Sequence, residues 1–237
     1  MSEISSTGDL MLTVLESVAA HGPVSATQCA RLCDINRTVA HRLLTTLARR
    51  LYVIKITGGY VLGPAAMAVA AQAQPSIVSF AKPEMARLAR DMRETVVLHG
   101  LADDEAVVLD QALDLTHVVV VRHNPGSRHP LIRGASGWSL LAFLPAKVIE
   151  RQLAPLPDAE RQAALQRLAK VRALSYAHSR DELQLGVHGL AAPVCGADGI
   201  AQASVGILVP QSRATNLMSM AGPLVACAKA IGAKLSA

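Results

Sequence analysis

The chain has 237 residues, 51% of them hydrophobic, and 23 lysines and arginines set against 18 aspartates and glutamates give a formal charge of +5. This length accommodates one small and one ordinary-sized domain, and no apolar run is long enough to span a membrane. Residues 1–9 are too polar for a signal peptide, and Cys29, Cys33, Cys195 and Cys227 lack disulfide-framework or zinc spacing, so a cytoplasmic protein with reduced thiols is expected.

Residues 10–20 predict an amphipathic helix with Leu12, Leu15, Val18 and Ala19 on one side, ended by Gly22 and Pro23. Ser25-Ala26-Thr27-Gln28 has the form of a capping box at the start of a second helix. Cys29 and Cys33, one helical turn apart, suit packing on one buried face. Asn36 offers a further cap, and Val39, Leu43, Leu44 and Leu47 follow at helical spacing. Residues 55–62 then read as strand, tight turn and strand around Gly58 and Gly59.

No acidic residue occurs between Asp34 and Glu84, while Arg37, Arg42, Arg49, Arg50, Lys55 and Lys82 fall in that gap. A polyanion approaching there meets no carboxylate. If Asn36 caps its helix, then Arg37, Thr38, His41, Arg42 and Thr45 cover the face opposite the leucines, where a recognition helix reaches base edges and phosphates. Lys55 and Thr57 set a wing against the backbone, and Arg49 and Arg50 complement the helix dipole. Residues 1–63 therefore predict a winged helix-turn-helix, a DNA-binding module.

Pro64 suits the first position of a helix over 65–74, nearly all alanine, which Pro75 breaks; residues 64–81 read as a connector. The second domain, 82–237, opens with a helix through Arg93 carrying Met85, Leu88, Ala89 and Met92 inward. Strands are expected at 95–101, 106–112 and 116–122, then a polar loop over 123–133. Helices follow at 138–144 and across 146–172, interrupted near Pro155 and Pro157. A hairpin pairs 187–195 with 200–209, and a last helix covers 214–235. Hairpin-joined strands with helices around them predict an α+β fold with a mainly antiparallel sheet. Gly134-Ala135-Ser136-Gly137, just before a helix, offers backbone amides and the positive end of the dipole to a carboxylate.

The wing motif Gly59-Tyr60-Val61-Leu62-Gly63, with Pro130-Leu131, Gly134-Ala135-Ser136-Gly137, Tyr176-Ala177-x-Ser179 and Gly186 through Val194, resembles the IclR family of bacterial transcription regulators over nearly the whole chain. The resemblance implies a winged helix-turn-helix joined by a connector helix to a GAF-like effector-binding domain. It also implies a dimer or tetramer acting on operator DNA under control of a small organic molecule, often a carboxylate. In the family a ligand sits between the 134–137 loop and the strands that here are 190–195 and 202–208. That nominates Gly134, Ala135, Ser136, Cys195 and Ser204, with His99 from the first strand. Trp138 replaces a usually basic residue, His188 a usual arginine, and Gly8-Asp9 a common basic position. Pro193, Gly206 and Leu208 stand where some members carry polar groups, so an aromatic or larger hydrophobic acid is expected.

An enzyme is the rival from another class. His117, His123 and His129 are six residues apart, and Cys195 is a possible nucleophile. That spacing is not expected to gather the imidazoles, no carboxylate-rich metal set accompanies them, and no oriented base is visible. No catalytic residue, metal or cofactor is therefore assigned. A DNA binder without a sensor is the other rival, but a domain with its own core pattern follows the wing. The family resemblance favours repression over activation of a catabolic operon, and effector binding is expected to shift the spacing or stability of paired DNA-binding heads.

Overall fold

The computed structural model describes residues 5–72 and 77–235. The chain divides into two compact units, Met1–Gln74 and Pro75–Ala237. The break expected at Pro75 and the last two residues of the 65–74 helix lie outside the described residues.

The first unit contains α1 (Ser6–His21), α2 (Ala26–Leu32), α3 (Arg37–Arg49), β1 (Val53–Ile56), β2 (Gly59–Leu62) and α4 (Pro64–Gln72). Helix α1 begins earlier than the apolar pattern indicates, because the Gly8 amide donates to the Ser5 hydroxyl at 3.3 Å. Its buried residues are Val14 and Val18; Leu12, expected inward, is 59% exposed. The capping box forms at Ser25 and Gln28, and the Thr38 amide donates to Asn36 Oδ1 at 2.9 Å. Ala40, Leu43, Leu44 and Leu47 turn one face of α3 into a core shared with Val14, Val18, Cys29, Val53 and Tyr60. Gly59 (φ +151°) is required where it stands, since a Cβ there would lie 2.4 Å from the Val24 carbonyl carbon. That close approach lets Val24 and Tyr60 exchange both backbone hydrogen bonds, adding a third extended segment beside the wing.

The second unit opens with α5 (Ile77–Met92), which runs through Pro83 and buries Ala81, Met85, Leu88 and Ala89. It then forms β3 (Thr95–Ala102), β4 (Glu105–Ala112), β5 (Arg128–Pro130), α6 (Gly134–Leu141), α7 (Ala146–Leu153) and α8 (Asp158–Leu174). The remaining elements are β6 (Ala177–Arg180), β7 (Val187–Cys195), β8 (Ala201–Pro210), a 3-10 segment (Gln211–Met220) and α9 (Ala221–Leu235). Six antiparallel strands order as β5-β4-β3-β8-β7-β6, the α+β arrangement expected.

Strand periodicity sorts the side chains into two cores. Val96, Leu98, Leu190, Ala192, Val205 and Ile207 face α5 and α9. Ala191, Leu140, Leu141, Leu168 and Val171 pack on the opposite face with α6 and α8. His99, Ser204, Gly206 and Leu208 alternate with the first core and so share this second face.

The last helix starts at Ala221, since 214–220 lie in the 3-10 segment, and two further expectations fail. Residues 116–122 form no strand, despite four consecutive valines. Instead the segment is fastened across to other elements by Thr95 Oγ1 donating to the Val121 carbonyl at 2.6 Å and Arg213 Nη2 donating to the Val119 carbonyl at 3.1 Å, with Val121 packed on Val97, Val108 and Leu208. Nor is 123–133 wholly loop, since β5 pairs with β4 through Glu105–Val107.

Candidate functional site

On the first unit, Arg37, Thr38, His41, Arg42 and Thr45 are all exposed on α3, opposite its buried leucines, and Lys55 and Thr57 are exposed on the wing. The Thr45 hydroxyl donates to the His41 carbonyl at 2.8 Å and that of Thr46 to the Arg42 carbonyl at 2.9 Å. The two arginines stand on a helix N-terminal half whose first turn holds no acid, so the positive end of the dipole adds to their charge.

In the second unit, a chamber of about 20 Å³ lies against the second face of the sheet. His99 from β3, Ala135 and Ser136 from α6, Gly189 from β7, and Gly206 and Leu208 from β8 line it. A Cβ at Gly206 would sit 3.0 Å from the Leu190 carbonyl oxygen, tighter than an ordinary contact. A cavity of this size holds about one water. Something must move before an organic molecule enters.

His99 is 1% exposed, and neither ring nitrogen has a hydrogen-bond partner. His123 and His129 stand beside it, with ring centroids 6.0 and 5.4 Å away. Burial, reinforced by mutual repulsion, holds His99 well below the ordinary imidazole range; burial also lowers His123 and His129. All three are therefore neutral near pH 7. His129 Nδ1 faces the Pro130 carbonyl at 3.1 Å and must donate there, so Nε2 accepts from the Ser136 hydroxyl at 3.0 Å. Among the described residues, no group of three or more His, Cys, Asp or Glu side chains is arranged to hold a metal ion. The gathering of His123 and His129 overturns the expectation that six-residue spacing keeps imidazoles apart, because the 116–122 segment folds one back while β5 positions the other.

A strap, residues 181–186, covers the chamber with Leu183 and Gln184. Glu182 anchors it, accepting from the Gly134 amide at 2.8 Å, Trp138 Nε1 at 3.3 Å and Arg167 Nη2 at 2.7 Å. Arg167 in turn lies 4.5 Å above the Trp138 ring. Gly134 through Gly137 do not precede a helix but form the first turn of α6, and the chain's own carboxylate already holds its leading amide. Gly134 (φ +71°) also leaves room for Leu183, whose side chain a Cβ there would approach to 2.5 Å.

The nominated residues thus separate. His99, Ala135 and Ser136 line the chamber, while Gly134 sits under the strap. Ser139 Oγ donates to the Ser136 carbonyl at 3.0 Å and therefore accepts from Ser204 Oγ at 2.6 Å, so Ser204 ties β8 to α6. Cys195 lines a different cleft with Phe143 and Lys229, away from the histidines. Sequence reasoning missed Glu182, Leu183 and Arg167, for which no local signal exists. Rejecting the histidine spacing set aside His123 and His129.

Comparison with known proteins matches residues 11–55 to the IclR helix-turn-helix domain and residues 69–233 to the bacterial transcriptional regulator IclR C-terminal domain. The HTH-type transcriptional regulator TtgV of Pseudomonas putida is 32% identical over 203 residues, covering 82% of this chain and 77% of its own. The transcriptional repressor IclR of Escherichia coli is 27% identical over 220 residues, covering 86% and 80%. The crystal structure of an IclR homologue from Microbacterium hydrocarbonoxydans, complexed with 4-hydroxybenzoate, shares the fold, with a TM-score of 0.79 at 22% identity over 97% of this chain and 99% of that one.

Proposed function

The chain belongs to the IclR family of bacterial transcriptional regulators, and we propose from that footing that it is a repressor released from its operator by a small aromatic or hydrophobic organic acid. The observation that carries the DNA half is the exposed set Arg37, Thr38, His41, Arg42 and Thr45 on α3, with Lys55 and Thr57 on the wing, inside a stretch free of carboxylates. Arg37 and Arg42 supply paired donors for guanine, and the wing supplies phosphate contacts.

The effector half rests on His99, a buried imidazole without a partner facing a largely apolar chamber. A polar group left unpaired there costs free energy that a ligand hydrogen bond recovers. The 4-hydroxybenzoate complex of the Microbacterium homologue and the repressor activity in the name of the Escherichia coli relative support the choice of ligand class and of sign. Apolar exposure at Leu12 on α1 and at Met67 and Val69 on α4 favours a homodimer or tetramer that pairs two DNA-binding heads. No helix among the described residues is long and apolar enough to cross a membrane; a cytoplasmic, non-enzymatic regulator is the reading that fits.

Fluorescence anisotropy with DNA from upstream of the protein's own gene, against an unrelated fragment, tests the proposal. Specific binding weakened by aromatic acids supports repression and release. Binding that aromatic acids strengthen makes the protein an activator or a co-repressed regulator, and equal, salt-sensitive binding to both fragments removes the operator claim.

A further inference from the structure

A cleft of about 380 Å³ adjoins the chamber, and His123 and Leu183 line both. Exposed Arg122, Arg128 and Arg133 surround this cleft, and among the described residues no carboxylate lines it. Arg128 has a loose 3.8 Å pairing with the almost fully exposed Asp103, and Arg133 donates to the Glu182 carbonyl at the root of the strap. Three cationic side chains thus line a cleft one side chain away from a buried imidazole with no hydrogen-bond partner at either nitrogen.

We propose that chamber and cleft are two halves of one divided site, which takes a hydroxylated aromatic or alicyclic carboxylate with its hydroxyl inside at His99 and its carboxylate outside among Arg122, Arg128 and Arg133. This proposal rests on the effector reading of the chamber and adds the ligand's orientation and its second anchor. The direction follows from charge. Neutral, desolvated imidazoles oppose a buried carboxylate, since one of them would have to take up a proton next to two others. A hydroxyl asks for no charge: it donates to one unoccupied ring nitrogen or accepts from the other. The apolar walls from Ala135, Leu208 and Leu183 suit a ring. Guanidinium groups in open water suit the carboxylate, which they hold with two parallel hydrogen bonds.

Leu183 and His123 form the partition. A ring needs a cavity of about 150 Å³, so the strap must lift Leu183 from its place over Gly134, and that movement joins the two spaces. Glu182 holds the strap down until then.

Calorimetric titration of the full-length protein with 4-hydroxybenzoate, benzoate and the methyl ester of 4-hydroxybenzoate tests the assignment. For the wild type the hydroxy acid should bind roughly tenfold more tightly than either of the other two. The double variant Arg122→Gln/Arg128→Gln should lose that advantage over the ester, with little change in ester affinity. His99→Leu should erase the advantage over benzoate. If His99→Leu abolishes the hydroxyl preference but the arginine pair changes nothing, the chamber remains the effector site and the divided site is wrong. If neither variant alters binding of the hydroxy acid, the ligand sits elsewhere and the effector reading falls too. Absence of heat with all three probes up to about 1 mM overturns the ligand class.

Discussion

The Glu182 carboxylate caps α6 by accepting the Gly134 amide at 2.8 Å, so one end of the strap over the chamber is fixed at the positive end of a helix. The same group accepts from Trp138 Nε1 and pairs with Arg167. Trp138 is the single tryptophan of the chain, which makes this latch directly observable. Glu182→Ala should shift its emission and cost about 1–2 kcal/mol, the range of a partly solvated charge-assisted network. With the closed state weakened, aromatic acids should bind more tightly. An emission maximum that stays unchanged in the variant, with unchanged ligand affinity, would argue that the strap is held by Leu183 packing alone.

Arg213 grips Glu94 with two hydrogen bonds of 2.7 and 2.8 Å, and Glu94 is 5% exposed. Its third donation, to the Val119 carbonyl, fastens the 116–122 segment that carries His123 toward the chamber. Arg213→Ala strands a buried carboxylate and should cost about 3–5 kcal/mol in urea unfolding. Arg213→Lys should recover only part, because an ammonium lacks the planar fork. A loss below about 1 kcal/mol for the alanine variant would mean that Glu94 finds water instead.

The three clustered imidazoles give the second unit a pH dependence whose sign follows from their burial. Burial holds His99, His123 and His129 below the ordinary value near 6.5, so as the pH falls the unfolded chain binds protons before the folded one. This source of stability is complete above about pH 6.5 and drains away on acidification. Calorimetry should show the melting temperature dropping between about pH 7 and about pH 5, and His99→Leu should be no less stable at neutral pH and less sensitive to acid. A steeper acid loss in His99→Leu would show that the imidazole stabilises the fold.

Arg42→Ala should cost roughly 1–3 kcal/mol of specific operator binding, and Lys55→Ala should weaken all sequences alike and reduce the salt slope by about 1. Anisotropy at several salt concentrations separates the two. The same slope change in both variants would place Arg42 on phosphate rather than on a base.

Whatever depends on near neighbours was legible in the sequence. The Ser25 and Gln28 capping box, the Asn36 cap and the leucine face of α3 are interactions within one helical turn, and the wing follows from two glycines between strands. Their consequence, a basic face opposite a buried one, could be read without coordinates. Residues 116–122 could not. Four valines have strand propensity, but a strand needs a partner edge: β5 takes part of the edge of β4, and Val118 and Val119 remain in solvent. The helix start at Gly134 was hidden as well, because glycine reads as loop until the Leu131 carbonyl is found 2.6 Å from where a Cβ on Gly137 would stand.

By itself the sequence determined the two domains' classes, the helix-turn-helix and the α+β sheet, since each rests on periodicity and on caps a few residues apart. Only the tertiary structure decided the chamber. His99, His129 and Ser136 come from three different elements, and the carboxylate at the end of α6 comes from Glu182, 48 residues further along the chain. Which polar groups meet there, and which buried nitrogens stay unpaired, is fixed by strand register and by segments fastened across to other elements, long-range contacts that leave no periodic trace.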